Sequence, residues 1–366
     1  MRPEAFCAQF GIAQPLVLAP MAGASTPALV AAVSNAGGLG SYGAAILAPE
    51  EVRRTIQAIR ALTDRPFNIN LFVQPAGGPY NPREVEAMLA LLRPLHDELG
   101  IAPPVAPDPL PTYPAEPTDA HLDVLLDERI PVFSTTFGLL PPERVRELQQ
   151  RETRVIGTAT TVDEALELQE SGVDAVALQG WEAGGHRGTF RGSFDDAMIG
   201  VLALTREAVP RLRVPALAAG GIMDGQGIAA ALSSGAAAVQ MGTAFWGCPE
   251  TAAPPALLSA LTDPACVTRI TRALSGRPAR GVRTRFLEAI DNAAAQHLYP
   301  LQRTLTQPLR AAAVAQGRSD VVAVLAGQGV RALRCLPAAD LVRVLMQETR
   351  DALHAASDLM PTRERA

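Results

Sequence analysis

His186 lies in the stretch WEAGGHRG, residues 181–188, where an apolar strand pattern gives way to a glycine-rich loop. An imidazole at such a point titrates close to physiological pH and can act as acid or base over a bound ligand. The other four histidines, His96, His121, His297 and His354, fall in helical patterns or their flanks and read as surface or capping residues. Asn70 and Gln179 end apolar runs. Buried amides need partners, which either a cofactor ring or a network between strands would supply. Two small-residue pairs, Gly220-Gly221 and Gly242-Thr243, follow apolar runs near the end of the same pattern. Glycine there lets the backbone approach an anion, and the next helix N-terminus adds N–H donors. The chemistry on offer is acid–base work beside a phosphate-bearing cofactor.

Composition removes several rivals. The chain contains no lysine, so all 32 cationic side chains are arginine. Schiff-base aldolases, pyridoxal-phosphate enzymes and P-loop NTPases each need a lysine amine and are excluded. A formal net charge of -5 argues against a nucleic-acid surface. Four scattered cysteines, Cys7, Cys248, Cys266 and Cys335, form no C-x-x-C, and no metal site is expected. No charge occurs from Ala5 to Pro49, but Pro15, Pro20, Gly23, Pro27 and Gly37-Gly38 interrupt any membrane-length apolar run. A soluble, cytoplasmic protein is expected. Its partners would be small molecules, with neither nucleic acid nor membrane, and an oligomer stays open.

Eight short apolar segments must position these residues. They begin with residues 15–20, 38–42, 67–73 and 132–138, and continue with 154–160, 175–180, 214–221 and 237–245. Helical patterns alternate with them at 27–37, 49–62, 82–99, 141–150, 162–171, 194–209 and 225–234. Thr26 followed by Pro27 is a helix start. Eight β/α units in about 245 residues predict a (β/α)8 TIM barrel over 1–246, ahead of a doubly wound sheet, which usually has fewer strands. A proline-rich insertion at 101–117 reads as a long surface excursion. Beyond it, residues 247–366 read as a mainly helical C-terminal region packing on the barrel, with helices at 252–262, 286–297, 305–316 and 338–354. Chemistry collects at strand ends in such a barrel, which selects Met21, Gly23, Gly43, Asn70, Thr136, Thr158, Gln179 and the two pairs.

GLGSYG at 38–43 spells G-x-G-x-x-G. Its glycines begin before the strand and run through it, rather than joining a strand to a helix, so it is assigned to close packing and not to a dinucleotide site.

Five ordered motifs resemble the nitronate monooxygenases, class I. They are PMAGASTPALVAAVSNAGGLGSYG at 20–43, NINLFV at 68–73, LQGWEAGGHRG at 178–188, AAGGIMDGQGIAAALSSGAAAVQMGTAF at 218–245 and SGRPARGVRTRF at 275–286. A looser match runs through HLYPLQRTLTQPLRAAA. The resemblance implies a barrel that binds FMN noncovalently and oxidises alkyl nitronates, such as propionate 3-nitronate, with O2. The products would be a carbonyl compound and nitrite or nitrate. It implies a flavin site of Met21, Ala22, Gly23, Asn70, Gln179, Gly184, Gly185, Gly220, Gly221, Gln240, Met241, Gly242 and Thr243. His186 matches the catalytic histidine, a general base toward neutral nitroalkanes. Tyr299 and Tyr113 are the substrate-cavity candidates, and no lysine is present to fill the family's position. Positive potential beside reduced flavin would then come from amides at Gly184-Gly185, a helix N-terminus or Arg187. The alternative is an NAD(P)H-dependent flavin reductase of the same barrel, similar to enoyl-acyl carrier protein reductase II or the NADH:quinone reductases. Gln179-Gly180 and His186-Arg187-Gly188 favour the monooxygenase.

Overall fold

The short apolar runs become strands because each is covered on both faces. In a computed structural model, which describes residues 2–77, 79–291 and 298–358, all eight expected segments are parallel strands. In chain order they are β1 (Leu16–Leu18), β2 (Gly40–Gly43), β3 (Phe67–Phe72), β4 (Val132–Thr136), β5 (Arg154–Ala159) and β6 (Ala175–Gln179). A two-residue strand, β7 (Gly185–His186), precedes the last two, β8 (Ala216–Ala219) and β9 (Ala238–Met241). The sheet runs β1-β9-β8-β6-β5-β4-β3-β2, and a parallel bridge between Val17 and Leu39 brings its two ends together. The expected eight-stranded barrel is therefore present.

Alternation of side chains divides the core. Leu16 and Leu18 pack outward with the helices, whereas Val17 packs with Leu39, Val132, Ile156, Ala177 and Leu217 inside the barrel. Phe6 and Phe10 of the helix Pro3–Phe10 join that inner cluster and plug one end. Register then fixes the other end. Asn70 is level with Gly43 and Ser134, and Gln179 with Ala219, which pairs Gln240. Amides from three strands are thus delivered to one mouth.

Several local expectations hold for the anticipated reasons. Thr26 accepts the Leu29 N–H with Pro27 at the first helical position. The glycines of 38–43 serve packing: a Cβ on Gly43 would lie 2.6 Å from the Ala22 nitrogen. Others are corrected. The helix expected at 194–209 begins only at Val201, because the Glu182 carboxylate accepts the Val201 N–H at 3.0 Å and fixes the start there. His96 is buried, not superficial, with Nδ1 2.7 Å from the Ala102 carbonyl oxygen. His121 is a capping residue, its ring beside Thr118 at the start of the helix Asp119–Asp127.

The C-terminal region carries helices at Pro255–Thr262, Arg285–Asp291, Leu301–Ala315 and Ala338–Asp358. The end of the helix expected at 286–297, with His297, lies outside the described residues. The expectation of helices missed a hairpin, β10 (Thr268–Thr271) with β11 (Ala279–Val282), which pairs onto β7 in the barrel loop. The helix Ala338–Asp358 packs on the barrel helices Gly225–Ser233 and Pro27–Asn35. No helix among the described residues is long and apolar enough to cross a membrane.

Candidate active site

The carboxyl ends of the barrel strands open into a cavity of about 340 Å3. Met21, Ala22, Gly23, Asn70, Gln179, Gly184, Gly185, Gly220, Gly221, Gln240, Met241, Gly242 and Thr243 all border it, as does His186. So do Thr136 and Thr158. Gly185 adopts a φ of 87°, and a Cβ built there would meet nothing within 4 Å, so bare backbone faces open space.

His186 is held from several sides. Its strand pairs antiparallel with β11, opposite Ala279, and the Arg187 N–H donates to Pro278. Its carbonyl accepts the Gln179 side-chain N–H at 2.9 Å. Its ring has edge contacts with Phe72 at 6.4 Å and Phe137 at 6.0 Å. Nε2 lies 2.6 Å from the Ser275 hydroxyl. Desolvation in the interior, then the positive charges of Arg277 and Arg303, push its pKa down to about 3. The residue keeps contact with the cavity while its ring is surrounded by protein, and the imidazole is neutral at ordinary pH.

The amides divide into spent and unspent groups. Gln179 donates to His186 and accepts the Gly188 N–H at 2.8 Å, so both ends of its amide hold the loop. The network between elements, rather than a cofactor edge, accounts for its partners. Asn70, which borders the cavity, spends its Nδ2 on the Ser134 carbonyl and hydroxyl and on Thr136, and its Oδ1 has no protein partner among the described residues. Gln240 borders the cavity and makes no side-chain hydrogen bond among the described residues. Arg187 does not supply charge to this mouth. It is fully buried behind it, donating to the carbonyls of Gly180, Gln179 and Ala197.

Charge reaches the cavity from elsewhere. Among the described residues its ionisable lining consists of His186, Arg303 and Arg310, with no carboxylate. Burial lowers the pKa of both arginines, that of Arg310 to about 10 with help from Arg303. Neither has an acidic partner among the described residues, and Arg310 Nε is buried without an acceptor. Sequence reasoning missed this pair. The available signal was their spacing, three before and four after the buried Thr306, on one face of the helix Leu301–Ala315. Ser275 and Phe137 were missed as well. Phe137, at a φ of 80°, carries the Arg277 guanidinium 3.7 Å from its ring centre.

The two tyrosine candidates lie outside this lining. Tyr299 donates to Gln74 Oε1 and meets the Phe137 ring edge-on at 6.3 Å. Tyr113 is beside Tyr80 and lies 3.1 Å from the Thr304 hydroxyl. The structure therefore brings His186 and the strand-end residues together and leaves Tyr113 and Tyr299 outside the cavity lining.

A model of the nitronate monooxygenase family matches residues 4–348, through the barrel and nearly all of the C-terminal region. The chain belongs to the nitronate monooxygenase family. It is 47% identical over 351 residues to a nitronate monooxygenase of Pseudomonas aeruginosa, covering 95% of this chain and 99% of that one. Among solved structures it is similar to the nitroalkane oxidase of Streptomyces ansochromogenes, with 41% identity and a TM-score of 0.88 over 96% of this chain and 99% of that one. FabK from Thermotoga maritima gives 27% identity and a TM-score of 0.76, covering 97% and 99%. Membership makes the chain an oxidoreductase, and the monooxygenase barrel is the frame on which His186 and the strand ends are mounted.

Proposed function

We propose that this chain is an FMN-dependent nitronate monooxygenase, oxidising alkyl nitronates such as propionate 3-nitronate with O2 to a carbonyl compound plus nitrite or nitrate. The observation that carries the reading is the sign of the cavity. Two arginines without an acidic partner and a neutral imidazole, with no carboxylate among the described lining residues, suit a site whose ligands are anions.

The residues fit a phosphate-bearing flavin. Bare backbone at Gly23 and Gly185 leaves room that side chains would fill. The free amide of Gln240 and the Oδ1 of Asn70 offer a donor and acceptors to a ring edge. Gly220-Gly221 and Gly242-Thr243 would hold the phosphate through main-chain N–H groups, as barrel loops after the seventh and eighth strands commonly do. FMN, when bound, supplies the electron-accepting ring that passes electrons from the substrate to O2.

The chain's own side chains do the rest. Arg303 and Arg310 attract the anionic substrate, and any further carboxylate it carries, into a low-dielectric pocket where charge-assisted bonds are strong. Phe72 and Phe137 wall the His186 side against water. His186 accepts no proton until the pH is far below neutral, which favours an already ionised nitronate over a neutral nitroalkane.

The test is oxygen uptake and nitrite release by the FMN-loaded protein with preformed nitronates, run beside NADH and NADPH oxidation. Nitronate-dependent uptake with negligible nicotinamide oxidation supports the proposal. Fast oxidation of NADH or NADPH without nitronate turnover would replace it with the reductase reading. A protein that takes up no FMN overturns both.

A further inference from the structure

Ser275 occupies the turn between β10 and β11, outside every barrel strand, and is buried and borders the cavity. Its Oγ lies 2.6 Å from His186 Nε2 and accepts the Arg277 N–H at 3.3 Å. No other hydrogen-bond partner for the His186 ring exists among the described residues. The backbone of His186 cannot retreat, because β11, Pro278 and Gln179 all hold it. The charged groups facing the ring are Arg277 and Arg303, both cations, which disfavour an imidazolium.

A neutral imidazole has one donor and one acceptor nitrogen, and a hydroxyl has one proton to give. A main-chain N–H points at Ser275 Oγ, and Nε2 is the one acceptor that the hydroxyl proton meets among the described residues, so the hydroxyl donates to Nε2. We infer that Ser275 fixes His186 in the Nδ1–H tautomer, so that the ring presents a hydrogen-bond donor to an anion bound in the cavity. Nδ1, with no protein partner among the described residues, is then the donor left for the ligand. Ser275 is a positioning residue, and His186 stabilises negative charge on a ligand oxygen rather than removing a proton. The nitronate reading supplies only the identity of that anion. The tautomer follows from the protein alone.

Ring 15N NMR of the histidine-labelled, FMN-loaded protein tests this without substrate. The His186 signals are assigned by their loss in His186→Asn. The wild type is expected to show a protonated Nδ1 and an unprotonated Nε2. Ser275→Thr keeps that pattern, whereas Ser275→Ala shifts it toward Nε2–H. Loss of the donor to the neutral ring also raises the pH at which Ser275→Ala titrates, and nitronate turnover falls about tenfold, the worth of one hydrogen bond. A wild-type ring already protonated at Nε2, or a Ser275→Ala spectrum and titration unchanged from wild type, overturns the inference. If Ser275→Ala does not fold, the wild-type tautomer decides alone. Absence of nitronate turnover with the expected tautomer would remove the functional reading and leave this assignment standing.

Discussion

Gln179 and His186 are joined across the loop that follows β6: the Gln179 side chain donates to the His186 carbonyl at 2.9 Å and accepts from Gly188 at 2.8 Å. One amide therefore spans the two main-chain positions that bracket Arg187, whose guanidinium anchors the same loop from behind. The imidazole is placed by a strand end it does not belong to.

Replacing Gln179 by leucine leaves a buried carbonyl and a buried N–H without partners. At about 1–3 kcal/mol for each of the two groups, the expected loss of stability is roughly 2–6 kcal/mol, readable by urea unfolding. Turnover on nitronate should fall with it, since His186 loses its support. Unchanged stability with normal turnover would mean that the β7–β11 pairing suffices to hold the loop.

His186→Asn separates a proton-removing role from a charge-stabilising one. An asparagine amide still donates a hydrogen bond but is no base, so with charge stabilisation as the role turnover should persist in part and fall alike on preformed nitronate and on neutral nitroalkane. Loss confined to the neutral nitroalkane would show instead that His186 removes its proton. A second readout is pH. The His186 pKa falls from 6.5 in the unfolded chain to about 3 in the fold. Between those values the unfolded chain binds a proton that the native state refuses, so stability drops as pH falls from 6.5 toward 3. His186→Asn should flatten that part of the wild-type stability curve.

Legibility in the sequence followed chemistry type. Strands such as FNINLF and AVALQ were visible because a doubly covered strand must be nearly all apolar, and their last polar residue, Asn70 or Gln179, marks the mouth. The hairpin of β10 and β11 was not visible, since TRIT and ARGV carry arginines and owe their strand form to pairing with each other and, for ARGV, with β7 across the chain. Gln179 was found as a site residue but its partners were not, because only the folded loop brings the His186 carbonyl and the Gly188 N–H to it. Arg187 was credited with a charge role that its three carbonyl acceptors consume, and the cations that do reach the cavity come from a helix more than a hundred residues later.

Phe137 borders an outer groove with Val73, Gln74, Glu167, Phe190 and Arg191, while its ring contacts Phe72 and His186, which line the cavity. Its ring packs 4.3 Å from Phe72 and under the Arg277 guanidinium, which holds a bulky residue at a φ of 80° where strain would otherwise expel it. Phe137→Ala should join the two spaces. The ratio of kcat/KM for a long-chain over a short-chain nitronate is expected to rise about tenfold, the scale on which a few methylenes are discriminated. An unaltered ratio would place substrate binding wholly on the Arg303 side.

Arg310 and Arg303 set stability against binding. A largely buried guanidinium without an acidic partner among the described residues incurs a desolvation cost that the one hydrogen bond from Arg310 to the Arg303 carbonyl does not cancel, and burial accordingly depresses both pKa values. Arg310→Leu keeps the apolar stem volume and removes the charge, so the protein should gain stability, by about 1–2 kcal/mol, in thermal or urea unfolding. The same change should raise KM for an anionic nitronate at least tenfold with a smaller effect on kcat, because the lost attraction acts on the ligand before and during reaction alike. Its salt dependence should weaken in parallel, since added ions no longer compete for the site. Arg303→Leu should behave likewise but also let the His186 pKa rise, as one of the two cations that depress it is gone. A loss of stability with KM unchanged would identify these arginines as packing residues. The opposite pair, a more stable protein with weaker anion binding, is what a site built around charge and left without a counter-ion requires.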